Sequence, residues 1–187
     1  MFKTYLELGT THILDLAGLD HLLFLVALVV TYSIAQWRAV LILATAFTVG
    51  HSITLALASL DIIKVNTHWV EILIAVSIAY TAAYNLYKPE HSAGSKKLKY
   101  GSALLFGLIH GMGFSNFFKA ILGKDDLLFP LFAFNVGVEL AQVLIVLIVL
   151  ILSFVLTKLI PQSKKPLVLI SSALILVLSL KMVIERI

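Results

Sequence analysis

LFPLFAFNVGVELAQVLIVLIVLILSFVLT, residues 128–157, decides the fold class. Glu139 is its only ionisable residue. A helix crosses the bilayer core with about 20 apolar residues. This stretch is longer than an upright span needs, so it is expected to tilt or to project beyond the lipid. Working outward, comparable apolar runs lie at about 13–33, 38–60, 69–87, 101–121 and 166–184. The expectation is an all-α, polytopic membrane helix bundle of about six transmembrane helices, forming a single transmembrane domain over residues 1–187. The first run is the least regular. Asp15-Leu16-Ala17-Gly18 can divide it into a short N-terminal surface helix carrying His12 and a membrane helix starting near Asp20. The one substantial polar linker is the basic stretch 88–99.

Composition agrees with lipid as the surrounding medium and the first partner. Hydrophobic residues make up 60% of the chain and charged ones 13%, too little polar surface for a water-soluble domain. Without cysteine there is no disulfide, thiolate ligand or cysteine nucleophile. The net charge of +4 comes from lysines in short loops, which suits membrane topology and argues against a nucleic-acid partner. Met1 to Thr11 lacks the apolar core and small-residue site of a cleaved signal peptide. Arg38, Lys88, Lys96, Lys97, Lys99, Lys158, Lys164 and Lys165 fall on one side of the expected topology, eight cations against six on the other. The positive-inside rule then gives a multi-pass protein of the cytoplasmic (inner) membrane with both termini outside.

Ionisable side chains inside membrane helices cost roughly 2.5–3.5 kcal/mol each on insertion scales, so each calls for a partner or a function. Asp20, His21, His51, Ser52, His110, Asn135 and Glu139 lie within the spans. At 1.5 Å per residue, His51 sits roughly 20 Å above the cytoplasmic end of its helix, and His110, Asn135 and Glu139 reach a similar layer. Asn135 and Glu139 are spaced i to i+4 and share a helix face. Imidazole and carboxylate together form a ligand set for a divalent transition metal, nickel or zinc among them. His21, His51, His110 and Glu139 are the predicted ligands, with Asp20 or Asn135 orienting an imidazole. His12 stands at the mouth of the site or at the membrane surface. Gly107, Gly111 and Gly113 flank His110 and permit close helix approach, whether for a metal site or for plain association. Phe47-x-x-x-His51 echoes Phe106-x-x-x-His110.

Several stretches resemble the HupE/UreJ family of membrane proteins: Gly9-Thr-Thr-His12, Gly18-Leu-Asp20-His21, Thr45-Ala-Phe-Thr-Val-Gly-His51-Ser, Val70-Glu71, Phe106-Gly-Leu-Ile-His110-Gly-Met-Gly, and Phe134-Asn135-Val-Gly-Val-Glu139. The resemblance covers most of residues 9–142. It implies an accessory protein of hydrogenase or urease systems and a candidate nickel permease. It also implies that His12, Asp20, His21, His51, His110 and Glu139 matter. The nickel-permease pattern has five residues between its first histidine and the Asp-His pair, whereas seven separate His12 from Asp20 here.

Two functional readings from different classes follow. The first is metal permeation or metal handling through the polar layer. The second is an intramembrane zinc hydrolase, with three histidines on the metal, Glu139 or Asp20 as general base, and Ser52 or Asn135 steadying the oxyanion. A scaffold role, with homo-oligomer or accessory-protein contacts, is the remaining reading.

Overall fold

The structure is a computed structural model that describes residues 1–15, 18–89, 96–122, 128–159 and 164–187. Its helices are α1 (Phe2–Leu14), α2 (Asp20–Val29), α3 (Trp37–Ser59), α4 (Thr67–Tyr87), α5 (Lys96–Gly113), α6 (Ser115–Leu122), α7 (Leu128–Leu159) and α8 (Lys165–Arg186). A single 3-10 turn at Ile34–Gln36 precedes α3, closed by a Ser33–Gln36 capping box. Among the described residues there are no strands. The all-α expectation holds.

The count of six spans is not confirmed among the described residues. Among the described residues four helices, α3 with its leading turn, α4, α7 and α8, are long and apolar enough to cross a membrane; the bent pair α5–α6 makes five if it is one span. The run 101–121 is not one straight helix, because the axis turns by 47° at Phe114. Gly111, Gly113 and Ser115 crowd this corner, and Ser115 Oγ donates to the Met112 carbonyl at 2.8 Å. The run 13–33 is also divided. Helices α1 and α2, of 13 and 10 residues, each fall short of spanning length. The break that Asp15 and Gly18 suggested is therefore present, yet α1 is no detached surface helix, because it packs along the first half of α7. The linker is shorter than read from sequence: α5 begins at Lys96, and residues 90–95, His91 among them, lie outside the described residues.

Contacts between helices arrange the two ends of the bundle. At one end Asn116 bonds Thr67, Lys119 pairs with Asp61, and Arg186 reaches the Glu71 carbonyl. At the other, Lys164 donates to the Tyr32 carbonyl and the Lys99 ammonium lies over the Tyr32 ring. Helices α1 and α2 thus follow α7 in sequence, from Phe2 beside Phe129 to Tyr32 in the same cluster as Leu150. The short helix α2 is held at its far end by the buried Asn85 of α4, whose Nδ2 donates to the Ala27 carbonyl at 2.7 Å. That carbonyl lies in the last turn, where intrahelical donors run out.

Small residues bring backbones together. Helices α3 and α5 run parallel. A Cβ on Gly50 would strike the Leu104 carbonyl, one on Gly107 the Phe47 carbonyl, and one on Gly111 the His51 carbonyl. Helices α1 and α7 make the same kind of contact through Gly9 and Gly137. Phe24, Phe47, Phe118 and Phe134 fill the interior, while much of α7 and α8 presents exposed Leu, Ile and Val to the surroundings.

Two outcomes are expected. Gly107→Ala should lower the thermal stability of the detergent-solubilised protein by an amount typical of core overpacking, about 1–3 kcal/mol. Gly101→Ala, with no atom near the added methyl, should leave it unchanged or slightly raised. Separately, burial pushes the Lys164 amine down to about 8 from 10.5. The folded state therefore disfavours its ammonium form, and that cost is relieved as pH rises from about 8 toward 10.5. Mass-spectrometric mapping of amine acylation near pH 8.5 should find Lys164 modified ahead of Lys3.

Candidate functional site

Four histidines meet at the break between α1 and α2. His12 lies in the last turn of α1 and His21 in the first turn of α2, and their ring centroids are 4.6 Å apart. The His21 ring also lies 5.9 Å from His51 of α3 and 5.2 Å from His110 of α5, and His12 is 5.8 Å from His51. His51 and His110 are fully enclosed, at 0% and 1% exposure. Phe24, Phe47, Phe114 and Phe134 surround the group; Phe114 is 3.9 Å from the His12 ring and Phe47 is 5.0 Å from His110. The glycine contacts between α3 and α5 explain how two of these rings share one layer, and the α1–α7 contact supplies a third.

The nitrogens are short of partners. His110 Nδ1 lies 2.8 Å from the Phe106 carbonyl, which can only accept, so Nδ1 carries the proton and the neutral ring presents a bare lone pair at Nε2. That Nε2, the Nε2 atoms of His12 and His21, and both ring nitrogens of His51 are buried without a hydrogen-bond partner. A buried unpaired polar atom costs on the order of 1–3 kcal/mol. One side is open: a pocket of about 740 Å³ lined by Thr11, His12, Asp15, Phe114 and Phe117 reaches the His12 edge of the cluster.

The carboxylates expected to join these rings are engaged elsewhere. Glu139 is clasped by α3: Thr45 Oγ1 donates to Oε1 at 2.6 Å, and Thr48 Oγ1 lies 2.5 Å from Oε2 and 2.9 Å from Gln142 Oε1. Asp20 is paired with Arg186, whose Nη2 lies 3.1 Å from each carboxylate oxygen. Ser52 gives its hydroxyl proton to the Thr48 carbonyl at 2.7 Å, and Asn135 Nδ2 donates to Leu131 of its own helix. Asn135 Oδ1 is buried without a partner. Among the described residues, no group of three or more His, Cys, Asp or Glu side chains is set to hold a metal ion. The His12–His21 and His21–His51 rings meet edge to face, and the His12–His51 and His21–His110 pairs are tilted.

Three of the four residues predicted as ligands, His21, His51 and His110, are therefore together, and Glu139 stands apart. His12, placed at the mouth by sequence, lines the pocket and touches the cluster as well. Thr45, Thr48, Gln142 and Arg186 did not emerge from sequence reasoning. Thr48 and Thr45 precede His51 by three and six residues, and Gln142 follows Glu139 by three, so helical spacing carried a usable signal for them. Arg186 offered none beyond a lone cation ending an apolar run.

An apolar helical bundle with imidazoles buried around a broken helix is a multi-pass membrane protein with its polar chemistry inside. The chain matches the family model described as HupE / UreJ protein over residues 1–186, and it belongs to that family. No curated protein and no solved structure matches it.

Nitrogen NMR of histidine-labelled protein should report His110 protonated at Nδ1 and bare at Nε2 in the metal-free state. A dominant Nε2–H form would contradict the assignment.

Proposed function

We propose that this protein takes up or hands on a divalent transition metal, of the nickel type, as cargo through the four-histidine cluster. The observation that carries this reading is the set of buried ring nitrogens without partners, gathered where α1 gives way to α2 and reachable from one pocket. Neutral imidazoles suit nickel and zinc alike. A broken helix with polar groups at both half-helix ends is also how many transporters build a site at mid-depth. In the proposed setting, the inner membrane with both termini outside, the pocket opens on the side of α6 and receives the ion from outside. Coordination turns the ring nitrogens toward one ion, and the lone pair at His110 Nε2 is already presented.

The hydrolase reading has less support. A general base must lie within hydrogen-bond reach of the water it activates. Glu139 and Asp20 are held by threonine hydroxyls and a guanidinium respectively, and Ser52 is turned to its own helix.

Isothermal titration of detergent-purified protein with Ni²⁺ and Zn²⁺ tests the proposal. The wild type should bind one ion, and His51→Ala and His110→Ala should each weaken binding by at least about tenfold, with nickel uptake into vesicles lost in parallel. Binding that survives both substitutions would place the metal elsewhere.

A further inference from the structure

Arg186 ends α8, a helix that packs along α4 and barely touches α2, yet its guanidinium reaches across to the first residue of α2. Nη2 lies 3.1 Å from both Asp20 oxygens, and Nη1 donates to the Glu71 carbonyl in the first turns of α4 at 3.0 Å. The pair is largely shielded, with side-chain exposures of 22% for Arg186 and 18% for Asp20. Asp20 directly precedes His21, whose ring lies against the other three histidines.

We infer that Arg186 is a built-in counter-cation that occupies Asp20 while the cluster is free of metal and competes with an incoming divalent cation for that carboxylate. This inference rests on the metal-binding reading and goes beyond it, since it assigns a competitor to the site.

The argument is one of charge. The imidazoles are neutral donors, Glu139 is clasped by α3 and Asp15 stands at the pocket mouth, so the carboxylate on α2 beside His21 is Asp20. While Arg186 neutralises it, a dication entering the cluster meets at Asp20 a carboxylate whose charge is already compensated. A dication that draws Asp20 toward itself must take the carboxylate from the guanidinium, and the two positive charges then repel. Half of a shielded ion pair is costly to strand, so Asp20 is never left bare: it exchanges one cation for another. The guanidinium, once displaced, keeps its bond to the Glu71 carbonyl and lies at the end of the bundle where water can solvate it. The arrangement tunes affinity downward, which a site that must release its cargo requires, and it makes α8 part of the response to the ion.

Nickel titration of the intact protein by calorimetry, run as a double-mutant cycle, decides the matter. Arg186→Gln should bind Ni²⁺ about tenfold more tightly than the wild type, the scale of coupling between two ligands of one site. The gain should vanish when the same change is made in an Asp20→Asn background. Arg186→Lys, which keeps the charge but cannot span Asp20 and Glu71 together, should fall between. A rise in affinity cannot come from misfolding, so the sign separates competition from a merely structural role. Equal or weaker binding by Arg186→Gln, with a wild type that binds, would overturn the competitor and leave the metal reading standing. Absence of nickel binding in both wild type and Arg186→Gln would remove the metal reading and this inference with it.

Discussion

The contact on which the rest depends is the close approach of α3 and α5. Lipid tails are as apolar as leucine, so burial of apolar surface does not drive membrane helices together, and dispersion and hydrogen bonds must do it. Gly50, Gly107 and Gly111 let each backbone rest on the carbonyls of the other, and Thr54 Oγ1 adds a hydrogen bond to the Leu108 carbonyl at 2.7 Å. Once that register is set, His51 and His110 face inward at one depth. The Gly9–Gly137 contact of α1 with α7 and the Asn85 bond to α2 then place His12 and His21 against them. Main-chain contacts gather the imidazoles; the rings do little to gather themselves.

Besides Asp15 at the pocket mouth, Glu139 and Asp20 lie in this neighbourhood, and the fold treats these two differently. Glu139 receives neutral hydroxyls, a clasp made by residues one and two turns before His51 on α3. Asp20 receives a full positive charge from the far end of another helix. Each solution satisfies an acid in apolar surroundings, yet only the second uses a partner able to leave.

Much of this was legible in residues. Long apolar runs identified α3, α4, α7 and α8 with ends within two residues, because hydropathy changes sharply where a span ends. Asp15 and Gly18 marked the break, since neither favours continuing an apolar helix. Depth counting at 1.5 Å per residue put His51, His110, Asn135 and Glu139 at a similar height, and the structure brings His51 and His110 against the His21 ring. What depth cannot supply is rotation about the helix axis. Glu139 has the right height, and its i to i+4 relation to Asn135 is real, but its face turns to Thr45 and Thr48. The bend at Phe114 lies in His110-Gly-Met-Gly-Phe-Ser-Asn116, whose glycines were read only as permitting close helix approach. His12, read from sequence as standing at the mouth of the site or at the membrane surface, has its ring against those of His21 and His51. The Asp20–Arg186 pair joins residues 166 apart, and no local pattern announces it.

The glycine seam between α3 and α5 bears on how the protein meets bilayers of unequal depth. A helix longer or shorter than the hydrocarbon slab around it answers by tilting, and neighbours tilting independently would shear any site strung between them. Here the two helices touch backbone to backbone through three successive positions, so a slip of one residue, about 1.5 Å, would drive carbonyls into α-carbons. They lean as a single body, and the imidazoles they carry keep their mutual height whether the surrounding membrane is thick or thin.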